Sequence, residues 1–429
     1  MRRRNGLSVN GWPPQTFAST VEFLSVIVRI RNVTEFGGNM RAEGLIPIEN
    51  TLSVRLGGHV SVEQLDERCA AASPFLVAAE TVWIDLKAAV TFDVVAMLQV
   101  LSVAAMRKES GVETRFRLPK SASARHCLRL WRFPDAVSAV TRTPFRLLVS
   151  EEDEAYFGES WPEAQESSVH GADDLRSSVL PYLVERQSFG LRSYQLDDEM
   201  SRFQFVEEET ARWSGYALFH LLQRVVLKGS ASDVTRVLVP ELLNSVVAHR
   251  APRTGVVGSQ MELPPPWVDD GHGVLTIGVW DNDATLITSL LERLAGGEQD
   301  HEGDARVSAQ LVVEAEGWTQ SRKNYDSRWL PGPSDTDSEV LLAEMAASTP
   351  LVVPPTGYPQ AGHGLYTLYR TAIDVFGGSL QIRTGGTCLT VQSAPDFDGA
   401  RYQVRATQNA ALPDQLGNLI SIRLPVHNV

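Results

Sequence analysis

Short apolar runs of strand length alternate with longer segments of helical periodicity between residues 45 and 140. In the longer segments apolar residues recur every three or four positions, as in Val95, Leu98 and Leu101, which predicts helices. The predicted strands cover residues 52–56, 81–86 and 112–118, and the predicted helices cover residues 92–107 and 121–131. Strands that alternate with helices of this length predict a mostly parallel sheet with helices packed against it.

The second half of the chain has a different order of predicted elements. Two helices come first, followed by a strand, a third helix and three short strands. The predicted helices cover residues 210–227, 234–249 and 364–376, and the predicted strands cover residues 273–280, 379–383, 388–392 and 419–424. Asp233 is placed to cap the second of these helices, and Gly377 and Gly378 are placed to end the third. This order predicts an α/β sandwich.

Two acidic or polar stretches, residues 150–173 and 296–337, divide the chain, and neither has enough periodic apolar residues to bury a face. Because 429 residues are too many for one hydrophobic core, we expect two or three domains. The predicted organisation is an N-terminal extension (1–44), an α/β domain (45–149), an acidic linker and connecting segment (150–209) and a second α/β domain (210–429).

The net charge and the spacing of the cysteines exclude or disfavour several classes of function. With 39 basic and 52 acidic residues the net charge is −13, so no overall field attracts a polyphosphate backbone, and nucleic-acid binding is disfavoured. The three cysteines form no CxxC pair, which excludes a disulfide framework and a cysteine-based zinc site and fits a reducing compartment. No apolar stretch has the length of a membrane span and no signal peptide is evident, so we expect a cytoplasmic protein that does not enter a membrane.

Polar residues recur every fourth position on the helix predicted over residues 234–249. Glu241, Ser245 and His249 therefore share one helix face. Asn244 lies one position before Ser245. A carboxylate one turn before small oxygen-bearing side chains suits the orientation of water beside a magnesium-bound phosphate. A surface helix with polar capping residues is the alternative interpretation.

Three further segments have residues typical of nucleotide sites. Asp281 follows a buried predicted strand, where its carboxylate can accept a hydrogen bond from the exocyclic amine of adenine or form an Asx-turn. Gly362 and Gly364 stand before a long predicted helix, so the backbone can approach phosphates at the helix N-terminus. The glycine turn Gly417-Asn418 introduces the last predicted strand.

In this order the four segments resemble the ATP-binding fold shared by gyrase, ninety-kilodalton heat-shock chaperones, histidine kinases and mismatch-repair ATPases, the GHKL superfamily. The matched stretches are Glu241 to His249, Asp281 to Thr285, Gly362-His363-Gly364-Leu365, and Gly417-Asn418 through Leu424-Pro425. The resemblance covers residues 210–429 and implies a Bergerat-type α/β sandwich that binds ATP with Mg²⁺.

The resemblance also implies roles for individual residues. Glu241 would orient or deprotonate the attacking water, and Asn244 and Ser245 would support magnesium. Asp281 would hold adenine, and residues 286–361 would form a lid. The other positions that the resemblance places at the nucleotide are Ser245, His249, Asp283, Gly362, His363, Gly364, Leu365 and Asn418.

Four positions depart from the family pattern. Ser245 replaces the magnesium-ligating Asn, Asp283 and Thr285 replace two glycines of the adenine motif, and Asn418 replaces a Thr. A serine hydroxyl is a weaker magnesium ligand than an amide oxygen, and the lost glycines narrow the space for the purine. Because of these departures, a degenerate nucleotide-binding fold that serves as a structural interaction module stays an alternative interpretation.

The first half resembles a STAS-type domain, as found in anti-sigma-factor antagonists. The resemblance rests on the strand predicted over residues 81–86, on the apolar run that ends at Asp93, and on the helix and strand that follow. Such domains have a phosphorylatable Ser just after the Asp, whereas Val94 and Val95 follow here. The resemblance therefore implies a docking or scaffolding unit. A generic small α/β domain is the alternative.

Together the residues and the resemblances predict an ATP-binding regulatory protein, a Mg-dependent ATPase whose nucleotide state controls a protein partner. A protein serine/threonine kinase similar to the anti-sigma factors and the structural interaction module stay open as alternatives. Members of the superfamily commonly dimerise, so a homodimer is compatible with the resemblance, although no heptad pattern indicates one.

Overall fold

A parallel sheet of three strands comes first along the chain. The computed structural model describes residues 51–154, 190–214, 225–247, 253–262, 272–283, 286–287, 341, 364–394, 401–409, 411–413 and 416–428. The strands β1 (Thr51–Val60), β2 (Thr81–Phe92) and β3 (Glu113–Arg117) lie in the order β1-β2-β3 and pair in parallel. The helices that accompany them are α1 (Val62–Ala78), α2 (Val94–Glu109), α3 (Ala122–Leu130), α4 (Phe133–Thr141) and α5 (Glu151–Glu154). The predicted parallel α/β arrangement is confirmed.

Helix α2 is buried on every side. All residues from 94 to 107 are buried, since the sequence is apolar around the whole helix rather than along one stripe. Asp93 caps the helix, because its carboxylate accepts a hydrogen bond from Val95 N at 2.8 Å. The helix ends in a Schellman motif, in which Gly111 N donates to Lys108 O and Val112 N donates to Arg107 O, each at 3.0 Å.

An antiparallel sheet follows. Its strands are β4 (Gly190–Gln195), β5 (Val225–Leu227), β6 (Thr254–Glu262), β7 (His272–Asp281), β8 (Ser379–Thr384), β9 (Thr387–Ser393), β10 (Tyr402–Gln408) and β11 (Asn418–Asn428). Seven of them lie in the order β10-β9-β8-β11-β7-β6-β4, and β5 pairs with the end of β11. The four strands predicted in the second half are all present.

Helices cover one face of this antiparallel sheet. They are α6 (Glu199–Ser214), α7 (Ala231–Asp233), α8 (Val239–Val247) and α9 (Leu365–Arg370), with π-helical turns at Val234–Leu238 and Thr371–Val375. Leu275, Ile277 and Val279 of β7 pack into the core under these helices, whereas Trp280 points to the opposite face. The alternation of strand side chains thus decides which residues of β7 face the helical layer.

Two sequence predictions in this region are wrong. The helix predicted over residues 210–227 matches the end of α6 over residues 210–214, and residues 215–224 lie outside the described residues. Its last three residues form β5 instead, because that segment pairs with β11. Asp233 does not cap the next helix. Ser230 does, since its hydroxyl accepts a hydrogen bond from Ser232 N at 3.2 Å. The segment predicted to be a connection, residues 150–209, contains β4 and the first part of α6.

Helix α2 packs on the other face of the antiparallel sheet. Gly258 and Gly278 are cross-strand partners on β6 and β7, and a Cβ on either would lie within about 3 Å of Val94 or Leu98 of α2. Arg423 of β11 pairs with Asp93 at 2.6 Å. One continuous hydrophobic core therefore joins the two sheets, and residues 44–429 form a single unit.

Among the described residues, no helix combines the length and the apolar character needed to cross a bilayer.

Candidate functional site

Three polar side chains form a hydrogen-bonded row at the ends of β7, β11 and β8. Asn418 is the direct cross-strand partner of both Asp281 and Thr384. Asn418 Nδ2 donates to Asp281 Oδ1 at 3.0 Å, and Thr384 Oγ1 donates to Asn418 Oδ1 at 2.8 Å. Leu286 N donates to Asn418 Oδ1 at 2.6 Å and to Thr384 Oγ1 at 2.9 Å. This row ties the first residue of the predicted lid to the sheet.

The strand register places the row on the helical face of the sheet. Asp281 continues the alternate positions of Ile277 and Val279, and Asn418 continues those of Ile420, all of which pack under the helices. Gly417 has φ of +73°, and a Cβ there would overlap the carbonyl oxygen of Asp281. A glycine is therefore required for Asn418 to reach the aspartate.

Asp281 is almost fully buried, with 3% of its surface exposed. Burial raises the pKa of its carboxyl to about 7, although hydrogen bonds from Asn418 and from Asp283 N oppose the shift. Both of these bonds fall on Oδ1, and among the described residues no donor is bonded to Oδ2. The carboxyl can therefore accept one further hydrogen bond from a ligand.

Helix α8 brings three more predicted residues to the same layer. Glu241, Asn244 and Ser245 are each less than a tenth exposed, and α8 packs against β7, β11 and α9. Ser245 Oγ donates to Leu242 O at 2.6 Å, so its proton is already engaged while its lone pairs stay available. Asn244 Oδ1 is buried and has no hydrogen-bond partner within the part of the chain that the structure describes.

The start of α9 has the backbone expected of a close approach to a ligand. Gly364 precedes the helix with φ of 56° and ψ of −131°, a conformation that side chains with a Cβ rarely adopt. Leu365 is buried in the core under the helical layer. Gly362, His363, His249 and nearly all of the lid predicted over residues 286–361 lie outside the described residues.

The polar side chains of this region match part of what Mg²⁺ and adenine require. An unpartnered amide oxygen on Asn244, beside the Glu241 carboxylate and the Ser245 hydroxyl, offers the hard oxygen ligands that Mg²⁺ prefers. Asp283 stands where the family has a glycine, and its N–H donates to Asp281 Oδ1 at 2.9 Å, which holds the turn without a glycine. Among the described residues no three His, Cys, Asp or Glu side chains cluster as a metal site.

The structure adds a residue that sequence reasoning missed. Thr384 is the last residue of β8. Its Oγ1 and Asn418 Oδ1 both accept a hydrogen bond from Leu286 N, so Thr384 belongs to the same row. Nothing in a threonine at the end of a strand distinguishes it, and only the sheet order β8-β11-β7 places it there.

The position that would bear a phosphoacceptor in a STAS-type domain is inaccessible to solvent. Val94 and Val95 at the start of α2 have no exposed surface, and Gln260 Oε1 of β6 accepts a hydrogen bond from Val94 N at 2.9 Å. This helix start therefore serves as a contact with the antiparallel sheet.

Comparison of the chain with protein-family models, with curated proteins and with solved structures found no match.

Proposed function

We propose that this chain is an ATP-binding regulatory protein of the GHKL superfamily, with a Bergerat-type sandwich built on the antiparallel sheet. The observation that supports the proposal most is the buried row of Asp281, Asn418 and Thr384 on the helical face of that sheet. A buried carboxyl with one oxygen still open is costly for a fold to keep without a ligand. The row lies under the helical layer that includes α8, which contains Glu241, and α9, which begins directly after Gly364.

Adenine recognition in this proposal depends on Asp281. Oδ2 accepts a hydrogen bond from the exocyclic amine of the base, while Asn418 and Asp283 N fix the carboxyl through Oδ1. Because the group is buried, a purine with the matching donor is favoured over one that would leave the carboxylate unpaired. Asn418 takes the place of the family's Thr in positioning this carboxyl.

Phosphate chemistry depends on α8 and α9. Asn244 and Ser245 would hold Mg²⁺, which when bound neutralises charge on the phosphate oxygens. Glu241 orients the attacking water and accepts its proton, since it is the acidic residue of α8. The backbone at Gly364 approaches the phosphates at the start of α9. Hydrolysis then changes the contacts of the residues after Asp281, beginning with Leu286, and so reports the nucleotide state to a protein partner.

The three-stranded sheet is a STAS-like scaffolding unit in this proposal. Its helix α2 lies against the back of the nucleotide-binding sheet, so a partner that binds the unit is physically connected to that sheet. The buried Val94 and Val95 support scaffolding rather than a phosphorylation switch on this chain.

Calorimetric titration with a non-hydrolysable ATP analogue and magnesium tests the nucleotide site. We expect saturable binding to the wild type that weakens about tenfold or more in Asp281→Asn, because a charge-assisted hydrogen bond is lost. Asp135→Asn removes an exposed aspartate of α4 and serves as the control, with unchanged affinity. Absence of binding to the wild type would instead favour the degenerate interaction module.

A second experiment separates hydrolysis from transfer. The protein is incubated with ATP labelled on its γ-phosphate, alone and with candidate partner proteins. Release of free phosphate supports an ATPase. Label on a partner's Ser or Thr would replace the ATPase with the kinase alternative.

A further inference from the structure

A cleft lies beside the C-terminal end of α2, in the unit of the three-stranded sheet. It has a volume of about 200 Å³ and lies between α2, β3, the end of α4 and the segment after it. Buried residues Ala104, Thr114, Thr141 and Leu148 line it, while Lys108 is exposed and Thr143 half-buried. A cavity of roughly 150 Å³ is known to accept benzene, so this one suits a small organic molecule.

Thr114 brings an unsatisfied polar group to this cleft. The residue is 3% exposed, and its Oγ1 has no hydrogen-bond partner among the described residues. The neighbouring Thr141 hydroxyl, by contrast, donates to Val137 O at 2.7 Å. Leaving a buried hydroxyl unpaired is destabilising. Its oxygen has almost no accessible surface, so a ligand in the cleft gains a hydrogen bond to it once the Thr114 side chain turns towards the cleft.

Lys108 gives the cleft an uncompensated positive charge. No carboxylate pairs with it in the described part of the chain, and its ammonium group donates a hydrogen bond to Thr143 Oγ1 at 3.4 Å. The acidic residue of the lining, Glu113, is already paired with Arg115 at 2.7 Å. The carbonyls of Arg107 and Lys108 at the end of α2 already accept the hydrogen bonds of the Schellman motif.

We propose that this cleft binds a small organic anion, a monocarboxylate of up to about ten non-hydrogen atoms, judged by the cavity that accepts benzene. Its carboxylate pairs with Lys108, and its apolar body contacts Ala104 and Leu148. A polar atom of the ligand bonds to Thr114 Oγ1 after that side chain turns towards the cleft. The site is separate from the proposed nucleotide site, which lies on the opposite face of the antiparallel sheet from α2. The two proposals therefore stand or fall independently.

The test uses acetate, lactate, benzoate and 4-hydroxybenzoate, with uncharged benzamide for comparison, titrated into the full-length protein and followed by NMR. We expect saturable binding of at least one carboxylate in the millimolar range or tighter, given the binding free energy that a ligand of this size can provide. Benzamide should bind more weakly than benzoate. Lys108→Gln should weaken the carboxylate about tenfold or more, because a charge-assisted bond is lost.

Thr114→Val gives a second and independent readout. Valine has nearly the same shape and no hydroxyl, so this variant should weaken the probe that binds best and also raise the unfolding temperature of the free protein by about 1–2 °C. Lys120→Gln, on the same unit but outside the cleft lining, is the matched control and should change neither quantity.

Two results would overturn the proposal. The first is that none of the four carboxylates binds saturably up to about 10 mM, the weakest affinity expected for ligands of this size. The second is that binding is equally strong in Lys108→Gln and in the control. Because no nucleotide is used, neither result bears on the proposed ATP site.

Discussion

Asn418 donates a hydrogen bond to Asp281 at 3.0 Å, although the two residues are 137 positions apart in the sequence. They are direct partners on neighbouring antiparallel strands, and the same asparagine accepts from Thr384 on its other side. The bond holds a buried carboxyl in place with one oxygen open. We interpret this arrangement as a preformed acceptor for a ligand, and its energetics can be tested without knowing the ligand.

Replacement of Asp281 by Asn should stabilise the free protein at alkaline pH. Burial raises the pKa of Asp281 from 3.8 to about 7, so its stability contribution is full below about pH 4 and is lost as the pH rises through 7. A shift of this size corresponds to about 1–4 kcal/mol. Urea unfolding at pH 8 should show Asp281→Asn more stable by about that amount, with a smaller difference at pH 5. A variant less stable than the wild type at pH 8 would contradict the burial argument.

Nucleotide affinity should rise with pH between about 6 and 8. In the proposed site the amine of adenine donates to the ionised carboxyl, so binding to the free protein would require Asp281 to lose its proton near its pKa of about 7. The dependence should approach one logarithmic unit of affinity per pH unit below 7 and should flatten above it. Asp281→Asn supplies the baseline, because titration of the phosphates affects both proteins equally. Equal slopes in the two proteins would exclude Asp281 from the binding step.

Replacement of Glu241 by Gln should abolish turnover and leave binding nearly intact. Loss of a general base costs about 100-fold to 10,000-fold in rate, whereas the glutamine keeps the shape of the buried side chain. Phosphate release and calorimetric affinity are measured together. Glu208→Gln, on the exposed face of α6, is the control. Loss of binding together with turnover would argue against Glu241 as the base.

Much of the fold could be predicted because burial imposes periodicity on the sequence. The strands β1, β2 and β3 and the helices α2 and α3 were predicted from that periodicity, whereas α1 was not predicted. The helix predicted over residues 210–227 was wrong at its end, because its last apolar residues form β5. A short apolar run has no period that distinguishes a strand from a helix. Helix α2 was predicted from its apolar spacing, but its burial on every face was not predicted.

The sequence predicted individual residues of the candidate site, but it did not predict which of them are in contact. Asp281 and Asn418 were both selected by motif, and the antiparallel pairing of β7 with β11 brings them into contact. That contact, like the inclusion of Thr384, depends on sheet order, which local sequence does not encode. The functional roles of these residues stay predictions.

The close contact between α2 and the antiparallel sheet can be tested by a double-mutant cycle. A Cβ on Gly278 would lie 2.9 Å from Leu98 Cδ1, so Gly278→Val should overpack this contact and cost about 1–3 kcal/mol. Leu98→Ala alone should cost about 2–5 kcal/mol through the cavity it leaves. The double variant should lose clearly less stability than the sum, since the valine fills that cavity. Additive losses in urea unfolding would show that the two residues do not share the contact.

The ion pair between Arg192 and Glu209 should contribute far more to stability than any surface pair. Arg192 Nε and Nη2 donate to Glu209 Oε1 and Oε2 at 2.7 and 2.9 Å, Tyr194 donates to the same carboxylate, and Glu209 has no exposed surface. Glu209→Gln leaves the buried guanidinium uncompensated and should cost about 3–5 kcal/mol. Asp135→Asn breaks the exposed pair with Arg132 and should cost at most about 1 kcal/mol.

The pH dependence of the same variant distinguishes charge from packing. Burial by itself would raise the pKa of Glu209, but Arg192 and the hydrogen bonds of Arg192 and Tyr194 lower it below 4.5. A lowered pKa means that the stabilisation is present above about pH 4.5 and is lost as the pH falls through the folded-state value. The deficit of Glu209→Gln relative to the wild type should therefore shrink in acid. A deficit that stays constant from pH 7 to pH 3 would mean that the glutamine disturbs packing, and that the charge of Glu209 contributes little.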